Sequence, residues 1–315
     1  MQHAAHALLL CAGLGTRLRP LTAERPKPLV PVMNKPLASY AMAQLASVGV
    51  KHVVANTHHL GDQVLPALAP FAQKLNIAID TVHETELLGT GGAIRNVLDR
   101  MGSESFYVFN GDILATPDLA AARALHDASG AAITMVLRED DRAEKLGAID
   151  VNAEGRVVRM LGEGDAPTEP VRRCLFTGVY IVSPRIADDL PENGCVIRHT
   201  LRRLLARGER VSGLVDNGLW FDLGTIEAYV SVHRGLLDGT IEHPEIDTPF
   251  EARCLDPLAR VGERVRLGRH VVAGARSELR GNGTIENAIV WDGAVVDAPL
   301  SDAIVTAKGE RVSVP

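Results

Sequence analysis

The residues best suited to chemistry lie in a glycine-rich segment near the start of the chain. Gly13 and Gly15 are followed by Thr16 and Arg17, and Lys27, flanked by two prolines, comes shortly afterwards. Glycines let the backbone approach an anion, and amide groups at a turn or helix start donate hydrogen bonds to phosphate oxygens. An ordinary turn explains the glycines but not the cations beside them. The segment therefore predicts a site for a phosphorylated ligand.

Two common phosphate-binding loops do not match this segment. A P-loop ends in Gly-Lys-Ser/Thr, whereas Gly15 is followed here by Thr16 and Arg17. A dinucleotide fingerprint needs a third small residue at the start of its helix, and Leu18 occupies that position. The sequence therefore argues against a P-loop nucleotidase and against a dinucleotide-dependent oxidoreductase.

Two aspartates in distant segments are candidates for metal binding. Asp112 follows an apolar run that ends in Asn110 and Gly111, and Asp222 lies in the sequence Trp-Phe-Asp-Leu-Gly-Thr of residues 220–225. Mg²⁺ at a nucleotide site is held by one or two carboxylates together with phosphate oxygens and water, so two acids are enough. Taken singly, each aspartate is more simply a turn or cap residue.

A second glycine-rich loop, residues 86–93, precedes a helical pattern. Its small residues would let a flat base lie close to the backbone, and Asn56, at the end of a predicted strand, is a further candidate for a base contact. The candidates within the loop are Glu86, Leu88, Gly89 and Thr90.

These segments lie at the ends of short apolar runs that alternate with amphipathic stretches. The pattern predicts a mostly parallel sheet with helices on both faces, in which the loops after residues 11, 56, 82 and 110 meet in one crevice. The predicted strands are residues 7–11, 52–56, 77–82, 105–110 and 131–137, and the predicted helices are residues 37–47, 62–75, 91–101 and 118–128.

Later parts of the chain follow other patterns. Strand-like runs at residues 147–151, 156–160 and 176–182 predict an insertion that forms a second wall of the crevice, and residues 226–237 predict a last helix. Residues 1–237 would then form one domain and residues 238–256 a linker. Residues 257–315 have the spacing of hexapeptide repeats, which predicts a left-handed β-helix interrupted at residues 281–286. A small irregular β appendage remains the alternative.

Composition excludes several classes of protein. The formal charge is −6, from 33 Lys and Arg against 39 Asp and Glu, which argues against non-specific binding of nucleic acid. The four cysteines have no CxxC spacing and are expected to be reduced and buried. The apolar start at residues 4–13 lacks a basic flank, and no run approaches the about 20 residues of a membrane span. A cytoplasmic protein with no membrane partner is expected.

The run from Gly13 to Pro28 resembles the opening of the sugar nucleotidyltransferase (nucleotide-sugar pyrophosphorylase) family. That family begins with Gly-x-Gly-Thr-Arg-Leu-x-Pro-Leu-Thr and continues to Pro-Lys-Pro, all of which is present here. The resemblance covers roughly residues 5–237. It implies a Rossmann-like core that binds a nucleoside triphosphate through Ala12, Gly13, Gly15 and Thr16, with Arg17 against the triphosphate and Lys27 bridging phosphate groups in the transition state.

The resemblance also implies roles for the other segments. Asp112 and Asp222 match the family aspartates that bind Mg²⁺, and residues 88–92 (Leu-Gly-Thr-Gly-Gly) are similar to the family loop at the nucleobase. The sugar would contact Gly147, Glu163, Thr177 and Gly178. The family's usual Glu-Lys-Pro is missing its lysine, because Glu163 is followed by Gly164. Arg172 or Arg173 replaces it, or the acceptor differs, or activity is weakened.

The implied reaction joins a nucleoside triphosphate to a hexose 1-phosphate and releases pyrophosphate. Residues 34–36 (Asn-Lys-Pro) and the repetitive tail are most similar to mannose-1-phosphate guanylyltransferases, so GTP and mannose 1-phosphate are the expected pair. A uridylyl- or thymidylyltransferase acting on another sugar, and a regulatory homologue that binds nucleotide sugars, remain alternatives. Tails of this kind mediate subunit contacts in the family, which implies a homo-oligomer.

Overall fold

The computed structural model describes residues 6–162, 169–247, 249 and 251–314. The chain forms two compact units, and each is built from more than one segment. The first unit contains residues 1–13 and 40–220, and the second contains residues 14–39 and 221–315. In the described part of the chain, no helix is long and apolar enough to cross a membrane.

The strands, in chain order, are β1 (His6–Leu10), β2 (Pro31–Val32), β3 (Lys35–Pro36), β4 (His52–Thr57), β5 (Ala78–His83), β6 (Phe106–Asn110), β7 (Ile113–Ala115), β8 (Ile133–Glu139), β9 (Ile149–Val151), β10 (Val157–Met160), β11 (Arg172–Val182), β12 (Val211–Val215), β13 (Trp220–Asp222), β14 (Arg253–Leu255), β15 (Arg260–Val261), β16 (Val265–Leu267), β17 (Val271–Ala273), β18 (Glu278–Val290), β19 (Val295–Val305) and β20 (Arg311–Ser313).

The α-helices are α1 (Leu21–Glu24), α2 (Leu37–Ser47), α3 (Val64–Leu75), α4 (Gly89–Val97), α5 (Leu119–Ser129), α6 (Ala143–Leu146), α7 (Arg202–Ala206) and α8 (Ile226–Asp238). Side-chain caps begin α5 and α8. In α5 the Asp118 carboxylate accepts a hydrogen bond from Ala121 N at 2.8 Å, and Gly130 ends the helix with a φ of 60°.

The first unit contains a mixed sheet, in which nine of the described strands pair. Strands β6, β1, β4 and β5 are consecutive neighbours and run parallel, so their carboxyl ends share one edge. Strand β11 pairs antiparallel with β6 and begins the mixed part of the sheet. The interior of β1 is wholly buried, as expected for a strand covered on both faces. The predicted sheet with helices is therefore confirmed.

The tail of the second unit is a stack of parallel coils. Arg253 pairs with Val271, Val271 with Ala288, and Ala288 with Ala303, so equivalent positions recur every 15 to 18 residues. This interval is close to three hexapeptides, and it places small and branched side chains in a continuous core between the coils. Strand β20 pairs antiparallel with β19 at the last coil. The predicted β-helix-like appendage is confirmed as coiled parallel strands.

The cysteines differ in part from expectation. All four are free, and Cys11 and Cys174 are buried, but Cys195 and Cys254 are only half-buried. Cys195 lies between β11 and β12, whereas Cys254 lies in β14, the strand at one end of the tail's sheet order.

Candidate active site

In the second unit, the glycine-rich segment folds back against the segment that carries Lys27. Gly15 has a φ of 60°, and a side chain there would lie 2.9 Å from Thr22 Cγ2 and 3.0 Å from Lys27 Cβ. Thr22 Oγ1 donates a hydrogen bond to Gly15 O at 2.9 Å. Glycine is required at this position because of the positive φ and because the two segments approach so closely.

Asp222 contacts both predicted catalytic cations. Lys27 Nζ lies 3.1 Å from Asp222 Oδ1, and Arg17 Nη2 lies 3.5 Å from Asp222 Oδ2. The Lys27 side chain is 6% exposed and the Arg17 side chain 68%, so one cation is fixed inside the protein and the other reaches solvent. A buried ammonium is stable only beside a counter-charge, which Asp222 supplies.

Gly224 leaves the space that Arg17 occupies. A side chain at Gly224 would lie 2.8 Å from Arg17 Nη2 and 3.0 Å from Arg17 Cζ. The next residue, Thr225, begins α8, and its Oγ1 accepts a hydrogen bond from Ala228 N at 3.2 Å. The Asp-x-Gly-Thr part of the motif thus combines a carboxylate, room for a guanidinium and a helix cap.

Asp222 also fits a divalent metal. Its two oxygens each contact one cation, and a carboxylate has about four lone-pair sites, so acceptor capacity remains on this half-exposed side chain. Among the described residues, no cluster of three or more His, Cys, Asp or Glu is arranged as a metal cage. Mg²⁺ does not need such a cage, because substrate phosphates and water complete its coordination.

In the first unit, Asp112 follows the carboxyl end of β6. Gly111 N donates a hydrogen bond to Leu10 O at 2.9 Å, which ties this turn to the end of β1. Burial, together with the negative charge of Asp112, raises the pKa of the Cys11 thiol. Asp112 itself lies two residues after β6, at the edge where the parallel strands end.

Two of the predicted sugar residues lie beside the same turn. Gly178 has a φ of 89°, and a side chain there would lie 2.5 Å from Asn110 Nδ2. Thr177 Oγ1 donates to Val136 O at 2.7 Å, and Thr177 O accepts from Trp220 Nε1 at 2.7 Å. The structure thus places the Thr177–Gly178 pair next to the end of β6.

Gly147 and Glu163 are the other two predicted sugar residues. Gly147 ends α6 with a φ of 107° and precedes β9, whose Ile149 pairs with Cys174 in the strand that also contains Thr177. Glu163 lies outside the described residues. Of the two candidate arginines, Arg173 is held by carboxylates, with Nε 2.9 Å from Asp150 Oδ1 and Nη1 2.6 Å from a Glu144 oxygen.

A carboxylate that sequence reasoning missed connects three of the strand ends. Glu84 is 2% exposed. Its Oε1 accepts from Asn56 Nδ2 at 2.8 Å, its Oε2 accepts from Leu88 N at 3.1 Å, and Asn56 Oδ1 in turn accepts from Cys11 N at 2.8 Å. Asn56 is therefore a structural link between β1 and β5 as well as a predicted base contact. One indication of this role was present in the sequence, which is the position of Glu84 directly after strand β5.

The glycines of the second loop have a packing role in addition to the predicted one. Side chains at Gly89 and Gly92 would lie 2.7 Å from Gly194 O and 2.5 Å from Glu192 O, respectively. Gly91 N donates to Gly194 O at 2.8 Å, and Thr90 Oγ1 accepts from Val196 N at 2.9 Å. The backbone of residues 192–196 therefore covers one side of this loop. Glu86 is exposed beside it.

Comparison with known proteins identifies the family. Residues 6–239 match the nucleotidyl transferase family. A mannose-1-phosphate guanylyltransferase of Mycobacterium tuberculosis (strain ATCC 25618 / H37Rv) is 31% identical over 304 residues, which are 94% of this chain and 82% of that protein. A mannose-1-phosphate guanyltransferase beta-B of Xenopus laevis is 30% identical, over 82% of this chain and 73% of that protein. The structure of HddC from Yersinia pseudotuberculosis aligns with a TM-score of 0.59 and 24% identity, covering 72% of this chain and 97% of that one.

The chain belongs to the nucleotidyl transferase family. It is an enzyme of the sugar-1-phosphate nucleotidyltransferase type, which transfers a nucleotidyl group to a sugar phosphate in nucleotide-sugar biosynthesis. Members of this family generally use a divalent metal. The structural neighbour, being under a quarter identical, supports the fold alone.

Proposed function

We propose that this enzyme transfers the guanylyl group of GTP to mannose 1-phosphate, with Mg²⁺ as the metal. The observation that carries the catalytic part of the proposal is the Lys27–Asp222–Arg17 arrangement, which gathers two cations and one hard oxygen donor around a half-exposed carboxylate. The choice of base and sugar is supported by the relatives, which are named mannose-1-phosphate guanylyltransferases and extend over most of the chain.

The proposed reaction needs alignment and charge neutralisation rather than a general base. The phosphate of the sugar is already an anion near neutral pH, so one of its oxygens attacks the α-phosphorus directly. The new oxygen–phosphorus bond forms as the bond to the β-phosphate oxygen breaks, and pyrophosphate leaves with that electron pair. Such reactions are accelerated mainly by positioning the reactants and by fixed positive charge.

The cations divide this work. Lys27 is rigid and balances the charge that develops on the α-phosphate, while the exposed Arg17 and the amides of Gly15 and Thr16 receive the leaving pyrophosphate. Asp222 and Asp112 are the proposed Mg²⁺ ligands. When bound, the metal would neutralise phosphate charge.

The phosphate of the sugar needs a cation in place of the missing family lysine. We propose Arg172 for this role. The Arg173 side chain is engaged by Asp150 and Glu144, whereas the exposed side chain of Arg172 has no hydrogen bond or ion pair among the described residues. Arg172 begins β11, the strand that contains the proposed sugar residues Thr177 and Gly178.

The test is pyrophosphate release from the purified protein with Mg²⁺, measured for GTP, UTP, dTTP and ATP against a panel of hexose 1-phosphates. We expect the highest rate with GTP and mannose 1-phosphate, abolished in Asp112→Ala and Asp222→Ala and kept in Asp99→Ala, which changes an exposed acid elsewhere. Preference for UTP or dTTP would refute the proposed base, and preference for another sugar the proposed acceptor. Silence across the panel, with nucleotide still bound, would favour a regulatory role.

We also propose that the first coil of the tail contacts a second copy of the chain. Leu255, Leu258 and Val261 are 39%, 59% and 40% exposed on this end coil. Terminal coils of a β-helix need a cover for their apolar ends. Light scattering coupled to gel filtration is expected to show a dimer or larger assembly, which Leu258→Glu weakens. A monomer at all concentrations would refute the proposal.

A further inference from the structure

The Lys27 segment, defined here as residues 14–39, contacts the β-helix tail, defined here as strands β14–β20 and their turns. Before Lys27, Arg25 Nη2 lies 2.7 Å and 2.8 Å from the two carboxylate oxygens of Asp292. The guanidinium carbon of Arg25 is 5.0 Å from the ring centroid of Trp291, a distance at which an aromatic face attracts a cation. Trp291 is 1% exposed, so this ring is held by its surroundings.

Glu24 provides a second link to the tail. Its Oε1 accepts a hydrogen bond from Thr306 Oγ1 at 2.5 Å, and its Oε2 accepts from Lys308 N at 3.2 Å. The Thr306 hydroxyl also accepts from Glu310 N at 3.1 Å, so a turn of the tail orients it. Two adjacent residues are thus anchored immediately before the short 3₁₀ helix that begins at Lys27.

After Lys27, the β2–β3 hairpin is anchored as well. Its turn places Met33 and Asn34 at positive φ values of 47° and 66°, which a hairpin of this length needs but which methionine rarely adopts. Asn34 Nδ2 donates to Ala273 O at 3.0 Å and to Cys254 O at 3.3 Å, both in the tail.

Helix α8 provides a fourth link, because it contacts both the Lys27 segment and the tail. Tyr229 OH donates to Pro31 O at 2.6 Å and accepts from Trp291 Nε1 at 3.3 Å. His233 Nε2 accepts from Met33 N at 3.3 Å. Polar contacts of the Lys27 segment therefore reach both the tail and the helix that the tail contacts.

We propose that the β-helix tail is a positioning device for Lys27, in which Asp292 and Thr306 act through Arg25 and Glu24 to hold the Lys27 ammonium in its reactive place. This inference rests on the proposed catalytic role of Lys27. The physical reason is that misplacement of a catalytic group by about 1 Å costs up to about 10²-fold in rate, and Lys27 lies two residues from the Arg25 anchor. The tail is then a part of the catalytic apparatus as well as a separate folded element.

The experiment measures single-turnover rates and KM in the full-length protein, for Asp292→Ala, for the charge swap Arg25→Asp with Asp292→Arg, and for Glu278→Ala. The last variant removes an acid in the same tail that pairs with Arg280, away from the Lys27 segment. We expect Asp292→Ala to lower the single-turnover rate about 10-fold. KM should change less than about twofold, the swap should restore most of the rate, and Glu278→Ala should match the parent.

A cycle with Lys27 separates positioning from general weakening of the fold. In a Lys27→Met background, Asp292→Ala should lower the rate no further, because the group that it positions is absent. A full second loss, or an unchanged rate in Asp292→Ala alone, would overturn the inference. If Lys27→Met itself kept the parent rate, the proposed function of Lys27 would fail instead, so the two failures are distinguishable.

Discussion

Lys27→Met tests the centre of the proposed site, because it removes one charge and keeps most of the side-chain volume. Lys27 is 6% exposed and its Nζ contacts Asp222 Oδ1 at 3.1 Å. If the ammonium balances charge on the α-phosphate, its loss resembles removal of one fixed electrostatic group at an active site. Such a loss lowers kcat by about 10²- to 10³-fold, which corresponds to about 2.7 to 4 kcal/mol of transition-state stabilisation.

The same change should leave the folded state intact. Methionine fills a similar space, and swaps that conserve volume usually cost less than about 1.5 kcal/mol. Removing one partner of a buried ion pair is costly where the other charge is left buried and unpaired. Asp222, with a side chain 37% exposed, keeps Arg17 as a partner and can be solvated. Lys27→Met is therefore expected to lose activity while keeping its stability.

The assay is pyrophosphate release under single-turnover conditions, paired with urea denaturation of the same preparation. Lys74→Met, an exposed lysine on α3, controls for loss of a lysine as such. A Lys27→Met enzyme with near-parental turnover would refute the assignment. A variant that loses activity only in proportion to a lowered denaturation midpoint would show that Lys27 is structural.

Three further outcomes are expected. Gly224→Ala should displace the Arg17 guanidinium and lower kcat about 10-fold, with little change in the denaturation midpoint. If Gly224→Ala lowered kcat equally in an Arg17→Ala background, this explanation would be contradicted. Glu84→Gln keeps one acceptor oxygen for two donors, so the free energy of unfolding should fall by about 1 to 3 kcal/mol. The KM for the nucleotide should also rise. An unchanged denaturation midpoint would refute this prediction. Burial lowers the pKa of His233 from 6.5 to about 4. The neutral form is thus favoured in the folded state, and stability is present above pH 6.5 and is lost as pH falls toward 4, by at most about 3 kcal/mol. His233→Gln should show a smaller loss in urea titrations at pH 7 and 4.5, and an identical loss would assign the effect to other groups.

The sequence predicts regular elements well where one face of an element is buried. Helix α2 was predicted at residues 37–47 and is found there, and the run at residues 131–137 forms β8, two residues later at each end. These patterns depend only on which residues avoid water. In the tail, it is harder to assign which residues of a strand face the core and which face solvent. Val295 is 46% exposed and the neighbouring Val296 6%, so adjacent apolar residues do not reveal which one faces the core.

Site residues were predictable where a motif carries them, and not where burial alone gives them a role. Arg17, Lys27 and Asp222 come from distant positions in the chain, and the structure brings them into contact. Glu84 shows the opposite case. An acidic residue after a strand usually faces solvent, and only tertiary packing makes this carboxylate a link between Asn56 and the loop at Leu88.

The division into two units gives a physical reason why the family's opening motif continues as far as Pro28. Gly15 and Lys27 must pack together within one unit, and that unit also contains the tail. The part of the Lys27 segment before the β2–β3 hairpin contains no strand, so polar anchors such as Arg25 with Asp292 help to fix its backbone. Catalysis by a fixed charge requires that the charge not move when the substrate binds. The anchors are therefore needed for the lysine to act. Substitutions in the tail should therefore affect turnover in proportion to their contact with the Lys27 segment, and not in proportion to their effect on the β-helix itself.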